Sequence, residues 1–138
     1  MSADSFIFFG MISQGYDDDE SCLIPEAAQE ELDEAMTWGE VYCKKVGIEA
    51  SGIIEADEKA EEHSGCTIGD WGWTEEPQHF IAIDKSLLKN DWEQAQEIKP
   101  EHFKTGKDWA DKLKKFCEVM GFRYVQPKWY TVCASDRG

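Results

Sequence analysis

Four apolar residues stand in succession at Phe6-Ile7-Phe8-Phe9, in a chain that is 31% charged. A short run with no polar alternation is the mark of a central strand buried on both faces. Such a strand needs partners along both edges and cover above and below. The remaining sequence must therefore supply a sheet and a layer that packs on it. His79-Phe80-Ile81-Ala82-Ile83 reads as a second apolar strand, Trp129 to Ala134 as a last one, and Gly52-Ile53-Ile54 as a short one.

The covering layer is visible as helical periodicity. Pro25 suits the first residue of a helix, with Glu26, Glu30 and Glu31 near the positive end of its dipole. Ala28, Leu32, Ala35, Met36, Gly39, Cys43 and Val46 then recur at helical spacing up to a stop at Gly47, which predicts one helix of about five turns. A second stripe, Trp109, Leu113, Phe116, Cys117 and Met120, stops at Gly121, and Thr105 with Asp108 forms a capping-box variant ahead of it. Asp57 to Gly65 reads as a polar loop, Gly69-Asp70-Trp71-Gly72-Trp73 as a glycine-broken turn, and Ser86 to Ile98 as a short helix ended by Pro100.

In order, these elements give β-α-β-β-α-β. The expectation is a single α+β domain over residues 1–138, ferredoxin-like, with two amphipathic helices on one face of an antiparallel sheet. A faint echo accompanies it: Phe6-Ile7 and Phe80-Ile81, Cys43 and Cys117, and Gly47 and Gly121 are each 74 residues apart, as in a pseudo-repeat of 1–73 and 74–138.

Charge is distributed very unevenly over this plan. Residues 1–62 hold 17 Asp/Glu against three Lys, a net of −14, while residues 63–138 hold 12 acids against 11 bases, a net of −1; together they make the −15 of the whole. A pI near 4.4 argues against direct contact with nucleic acid or an anionic membrane, both of which need Lys/Arg to displace counterions. A one-sided acidic block instead presents a directional field to a basic partner. The apolar run Phe6–Ile12 is too short to span a membrane and lacks a basic flank, so neither signal peptide nor anchor is expected. Five cysteines with no C-x-x-C spacing fit a cytoplasmic protein with free thiols.

Candidate binding residues follow from that field. Glu26, Glu30, Asp33 and Glu34 fall on the helix side away from the Leu32/Met36/Cys43 stripe, at a pitch of about 6 Å per four residues, spaced to fill a nucleic-acid groove of another protein. Asp17, Asp18, Asp19 and Glu20 extend the row at the helix entrance, and Glu55, Asp57, Glu58, Glu61 and Glu62 form a second cluster. The plainer reading of the same residues is a solvated helix face that keeps the protein soluble. Trp71 and Trp73 are either interface anchors or a lid on the sheet face that the helices leave bare. His63-x-x-Cys66 lacks the further ligands of a zinc site, and Asp57-Glu58-Lys59 alone does not make a nuclease. No catalytic residue, metal ligand or cofactor is assigned, since no phosphate loop, dinucleotide fingerprint or nucleophile elbow occurs.

Trp109, Leu113, Phe116-Cys117, Gly121-Phe122, Gln126-Pro127 and Trp129, together with Phe8-Phe9-Gly10, resemble a group of small phage-encoded proteins of unassigned function. The resemblance covers about half the chain and implies a setting, a phage product in a bacterial cytoplasm, but no catalytic residue. Small acidic phage proteins often inhibit host nucleases, so that setting taken with the acidic charge leads to an expected partner, a basic host protein such as a defence nuclease, restriction enzyme or CRISPR effector. The expectation is thus a non-enzymatic acidic inhibitor, a DNA mimic. Two alternatives stand beside it: a small-molecule or nucleotide-binding domain or enzyme using the bare sheet face near Trp71, Trp73, His79 and Trp129, and a virion assembly component.

Overall fold

The computed structural model describes residues 2–12, 23–35, 37–71, 78–91, 95 and 97–136. They form a mixed α+β domain with the elements β1 (Ser2–Ile12), α1 (Glu26–Glu34), α2 (Trp38–Val46), α3 (Ile53–Ser64), β2 (Cys66–Trp71), β3 (Gln78–Ile83), β4 (Leu88–Asp91), α4 (Trp109–Met120) and β5 (Lys128–Asp136). Short 3-10 turns occupy Asp84–Ser86 and Pro100–Phe103.

The apolar run does lie in the central strand. β1 pairs antiparallel with β5 from Ser2 to Gly10, and with β4 and β3 in succession from Asp4 to Ile12. Because β5 holds one edge over that length, β4 and β3 must share the other. The sheet order is β2-β3-β1-β4 with β5 also on β1. This differs from the expected four-stranded β-α-β-β-α-β order, for a local reason. Gly10 is opposite Ala82 and Ile7 opposite Leu88, so the two residues of β1 between these pairs face five of the β3–β4 segment. The three extra residues are absorbed by the turn Asp84–Ser86. Ser86, fully buried, replaces the lost ladder: its Oγ accepts from the Phe9 N–H at 2.9 Å and donates to the Ile83 carbonyl at 2.7 Å.

The long first helix expected from the sequence is two helices. Ala35 and Thr37 are extended, and the Thr37 hydroxyl accepts from the Glu40 N–H at 3.4 Å, so Thr37-Trp38-Gly39-Glu40 starts a new helix with a capping-box sequence. The expected strand at 52–54 and loop at 57–65 are instead α3. Its buried stripe is only Ala56 and Ala60, small side chains that give little periodic hydropathy, and Gly65 ends it at φ 73°. The expected helix from Ser86 contains β4, and the first three residues of the expected turn, Gly69-Asp70-Trp71, are instead the end of edge strand β2. α4 begins at Trp109, with Asp108 rather than Thr105 at its cap.

Both C-x-x-x-G-[I/F] segments end helices in the same way. Gly47 and Gly121 adopt left-handed φ of 78° and 74°, and the amides of Ile48 and Phe122 reach back to the carbonyls of Cys43 and Cys117 at 2.8 and 2.9 Å. This is the six-to-one bond of a Schellman cap, in which the apolar residue after glycine folds back onto the helix.

All four helices pack on one sheet face. Phe9, Met11, Cys66, Ile68, Ile81 and Ile83 from the strands meet Ala28, Val41, Tyr42, Cys43, Ala56, Ala60, Leu113, Phe116, Cys117 and Met120. Phe116 joins α4 to α2, stacking on Tyr42 and meeting Trp38 edge-on, each at 5.6 Å. Each large buried side chain of this kind contributes about 1.5–3 kcal/mol.

The opposite face carries a second cluster, Phe8, Phe80, Ala82 and Val132, all buried. The sheet curls about it. β2 and β5, at opposite ends of the order, come together without forming a ladder. Two glycines make the curl possible. A Cβ on Gly10 would lie 2.1 Å from the Ile81 carbonyl oxygen, and one on Gly69 would lie 2.2 Å from the Phe80 ring. Phe80 in turn stacks on Phe8 at 4.3 Å. The face expected to be bare is thus folded inward. Trp129, assigned to it from sequence, points the other way, against Phe9 and Trp109.

Candidate functional site

Helix α1 carries the main concentration of acid. Its nine residues include Glu26, Glu30, Glu31, Asp33 and Glu34 and no base. Ala28 is buried and Leu32 half-buried against the core, which turns Glu26, Glu30, Asp33 and Glu34 to solvent, as the periodicity requires. Glu26, Glu30 and Glu34 lie at successive four-residue steps, where like charges repel by a few tenths of a kcal/mol per pair. Lys45 of α2 neutralises Glu31 at 3.1 Å, and Gln29 donates to Asp33 at 3.0 Å. No ion pair with Glu26, Glu30 or Glu34 forms among the described residues.

The second acidic cluster, on α3, is divided by the fold between structural and exposed roles. Glu55 pairs with Lys59 at 2.8 Å and accepts from Ser51; these bonds, Lys59 first, lower its carboxyl to about 2. Asp57 accepts from the Gly39 N–H at 3.1 Å and so caps the start of α2 from the neighbouring helix. Glu61 is half-buried; burial raises its carboxyl above the usual range, opposed by a bond from Thr67 and reinforced by the charge of Asp84 and a bond to it. Glu58 and Glu62 remain exposed. α2 lies between α1 and α3 and places Lys44 and Lys45 between the two acidic helices.

Asp17, Asp18, Asp19, Glu20 and Trp73 lie outside the described residues. Trp71 ends β2 opposite Gln78, and its side chain also lies outside the description.

A cavity of about 530 Å³ opens beside α3, lined by Glu58, Glu61, Glu62, His63, Asp84 and Lys112 among others. His63 is oriented there by the buried Tyr42 hydroxyl, 2.7 Å from Nδ1. Burial, and after it the neighbouring thiols of Cys66 and Cys43, raises the Tyr42 phenol. Cys66 is fully buried and its thiol is pushed up to about 12, chiefly by desolvation, which takes it out of thiolate chemistry. Among the described residues no group of three or more His, Cys, Asp and Glu is placed to hold a metal ion. No helix among them is long and apolar enough to cross a membrane.

Sequence reasoning missed one further feature, an aromatic cluster on the helix-covered face. Trp129 of β5 lies 5.1 Å from Phe103, 5.6 Å from His102, 5.7 Å from Phe9 and 6.3 Å from Trp109, ring centre to ring centre. His102 anchors the group by a 2.9 Å bond from Nε2 to the Ser86 carbonyl. The signal lay in five aromatic side chains drawn from four separate segments, which no single window of sequence brings together.

Compared with known proteins, the chain matches no family model, no curated protein and no solved structure.

Proposed function

We propose that this is a non-enzymatic binding protein whose acidic face, centred on α1, docks onto a basic, nucleic-acid-binding surface of another protein. The observation that carries the reading is the state of α1: four exposed carboxylates, Glu26, Glu30, Asp33 and Glu34, on one short helix, none of them in an ion pair among the described residues. Repulsion along such a row is relieved by a positively charged partner. Glu58 and Glu62 on α3 add to the same field. The specific version is a phage-type inhibitor of a host nuclease or CRISPR effector in a bacterial cytoplasm, in which the carboxylates occupy the groove meant for nucleic acid. Capture from bacterial cytosol at low and high salt tests it. A basic nucleic-acid-binding protein should be retained at low salt, released at high salt, and displaced by duplex DNA. Retention of no such protein, or retention that DNA does not disturb, overturns the reading.

We also read β3 and β4 as one strand interrupted at Asp84–Ser86. Counted so, the chain becomes a β-α-β-β-α-β arrangement of ferredoxin-like type, with three helices in place of the first. Support comes from their shared edge of β1 and from β5 on the other.

A further inference from the structure

Two carboxyl groups from different elements are bonded to each other beside the α3 cavity. Glu61, in the last turn of α3, is half-buried and forms hydrogen bonds with the Asp84 side chain and the Thr67 hydroxyl. Asp84 opens the turn after β3, and its N–H donates to the Gly65 carbonyl at 2.9 Å. Side chain and main chain thus tie the end of α3 to the turn whose Ser86 serves β1. An ionised carboxylate only accepts hydrogen bonds, so two carboxyls can be bonded only through a proton held between them. The charges around the pair supply no substitute. α3 itself contributes Asp57, Glu58, Glu62 and His63, the turn contributes Lys85, and α4 contributes Lys112. Lys112 lies over Gly65, where a Cβ would meet its Cδ at 3.2 Å, but its ammonium is paired with Asp108 at 3.3 Å. β2 offers the buried Thr67 and the Cys66 thiol, which burial keeps uncharged. No ion pair to Glu61 or Asp84 forms among the described residues.

We propose that Glu61 and Asp84 form a proton-operated clasp between α3 and the turn after β3, closed while their carboxyls share one proton and released when both are ionised. Without that proton, like charges face each other at hydrogen-bonding range. Thr67 decides which half moves. Its hydroxyl still donates to an ionised Glu61 and holds that side chain on β2, whereas Asp84 is exposed and free to turn toward solvent. Burial first, and after it the charge and bond of Asp84, raise the Glu61 carboxyl against the opposing Thr67 bond, which moves release toward neutral pH. Release loosens the Asp84 N–H from the Gly65 carbonyl and adds charge to the cavity rim that carries Glu58 and Glu62. The clasp lies on α3 and the turn, so it goes beyond the docking of α1 and does not depend on it.

Two measurements on the full chain test this: an NMR titration of the Glu61 side-chain carboxyl, and hydrogen exchange of the amide at position 84. After correction for the intrinsic exchange rate, wild-type protection at that amide should fall about tenfold from about pH 4 to about pH 7. Asp84→Asn supplies a side-chain N–H that bonds an ionised Glu61 without a shared proton. It should lower the Glu61 midpoint and hold the change in protection to less than about twofold over the same range. Thr67→Val removes the donor that favours the ionised form and should move the Glu61 midpoint the other way. Glu58→Gln, an exposed neighbour on the same helix, should leave the fall in protection as it is in the wild type. A Glu61 midpoint unmoved by Asp84→Asn, or wild-type protection that does not change with pH, overturns the proposal. So does a fall in protection that Glu58→Gln abolishes, because the general charge of α3 would then be its cause.

Discussion

Ser86→Ala isolates the device that lets one strand become two. The Ser86 Oγ serves the Phe9 N–H at 2.9 Å and the Ile83 carbonyl at 2.7 Å, in a site with no solvent exposure. Alanine fits the space but strands both backbone groups. A buried polar group left without a partner costs about 1–3 kcal/mol, so two such groups, with some local relaxation, cost about 2–4 kcal/mol. For a domain of this size that lowers the thermal midpoint by roughly 10 °C. Urea unfolding should show the loss as a shift in midpoint with an unchanged slope. Hydrogen exchange at Phe9 should accelerate as well, because that amide loses its acceptor. The His102 contact with the Ser86 carbonyl, at 2.9 Å, involves main chain and survives the substitution. A destabilisation under about 0.5 kcal/mol, the scale of an ordinary surface change, would refute the assignment of the register shift to this hydroxyl.

Three further outcomes follow from the packing and the titrating groups. Gly39→Ala places a Cβ 2.1 Å from Asp57 Oδ1 and 2.6 Å from Asp57 Cα, so α2 and α3 must separate; a loss of about 1–3 kcal/mol is expected in thermal melts, and an unchanged midpoint would contradict the close approach. Glu61 is held above its ordinary value of 4.5 by burial first, so the folded state binds its proton more tightly than the unfolded chain; its contribution to stability is full below 4.5 and is lost as pH rises from there through the folded value. Glu61→Gln should therefore flatten the decline of stability above pH 4.5, and a variant with the wild-type slope would sink that assignment. Burial pushes Cys66 and Cys117 up to about 12 and also raises Cys43, while Cys133 is exposed; iodoacetamide on the folded protein should modify Cys133 well before these three, as read by mass spectrometry of peptides.

The parts of the fold that were legible in the sequence are those where one strong local signal coincides with burial. The run Phe6–Phe9 announced a central strand, and the stripe from Trp109 to Met120 with Gly121 announced α4, because large side chains mark the buried face of each. α3 escaped notice because its buried face is made of Ala56 and Ala60, which contrast little with their neighbours. The break between α1 and α2 had a signal, Thr37 three residues before Glu40, but it stood inside a continuous apolar spacing that suggested an unbroken helix. The curl of the sheet depends on what a Cβ at Gly10 or Gly69 would strike, which is a property of distant backbone and not of local pattern.

Exposure of the α1 carboxylates followed directly from helical periodicity, since Leu32 and Ala28 fix which side faces inward. The fate of the α3 acids did not. Asp57 became a cap for α2 and Glu55 a partner for Lys59 only through contacts between segments. The aromatic group about Trp129 is likewise assembled from β1, the turn Pro100–Phe103, α4 and β5.

The most direct measurement of the central claim is the association rate between this protein and its captured basic target, followed across ionic strength for the wild type and for Glu26→Lys/Glu30→Lys/Asp33→Lys/Glu34→Lys. Electrostatic docking through α1 predicts a wild-type rate that falls steeply with added salt, and a reversed protein that associates at least about tenfold more slowly at low salt with its fold intact. Equal rates for the two proteins, or a wild-type rate indifferent to salt, would contradict it.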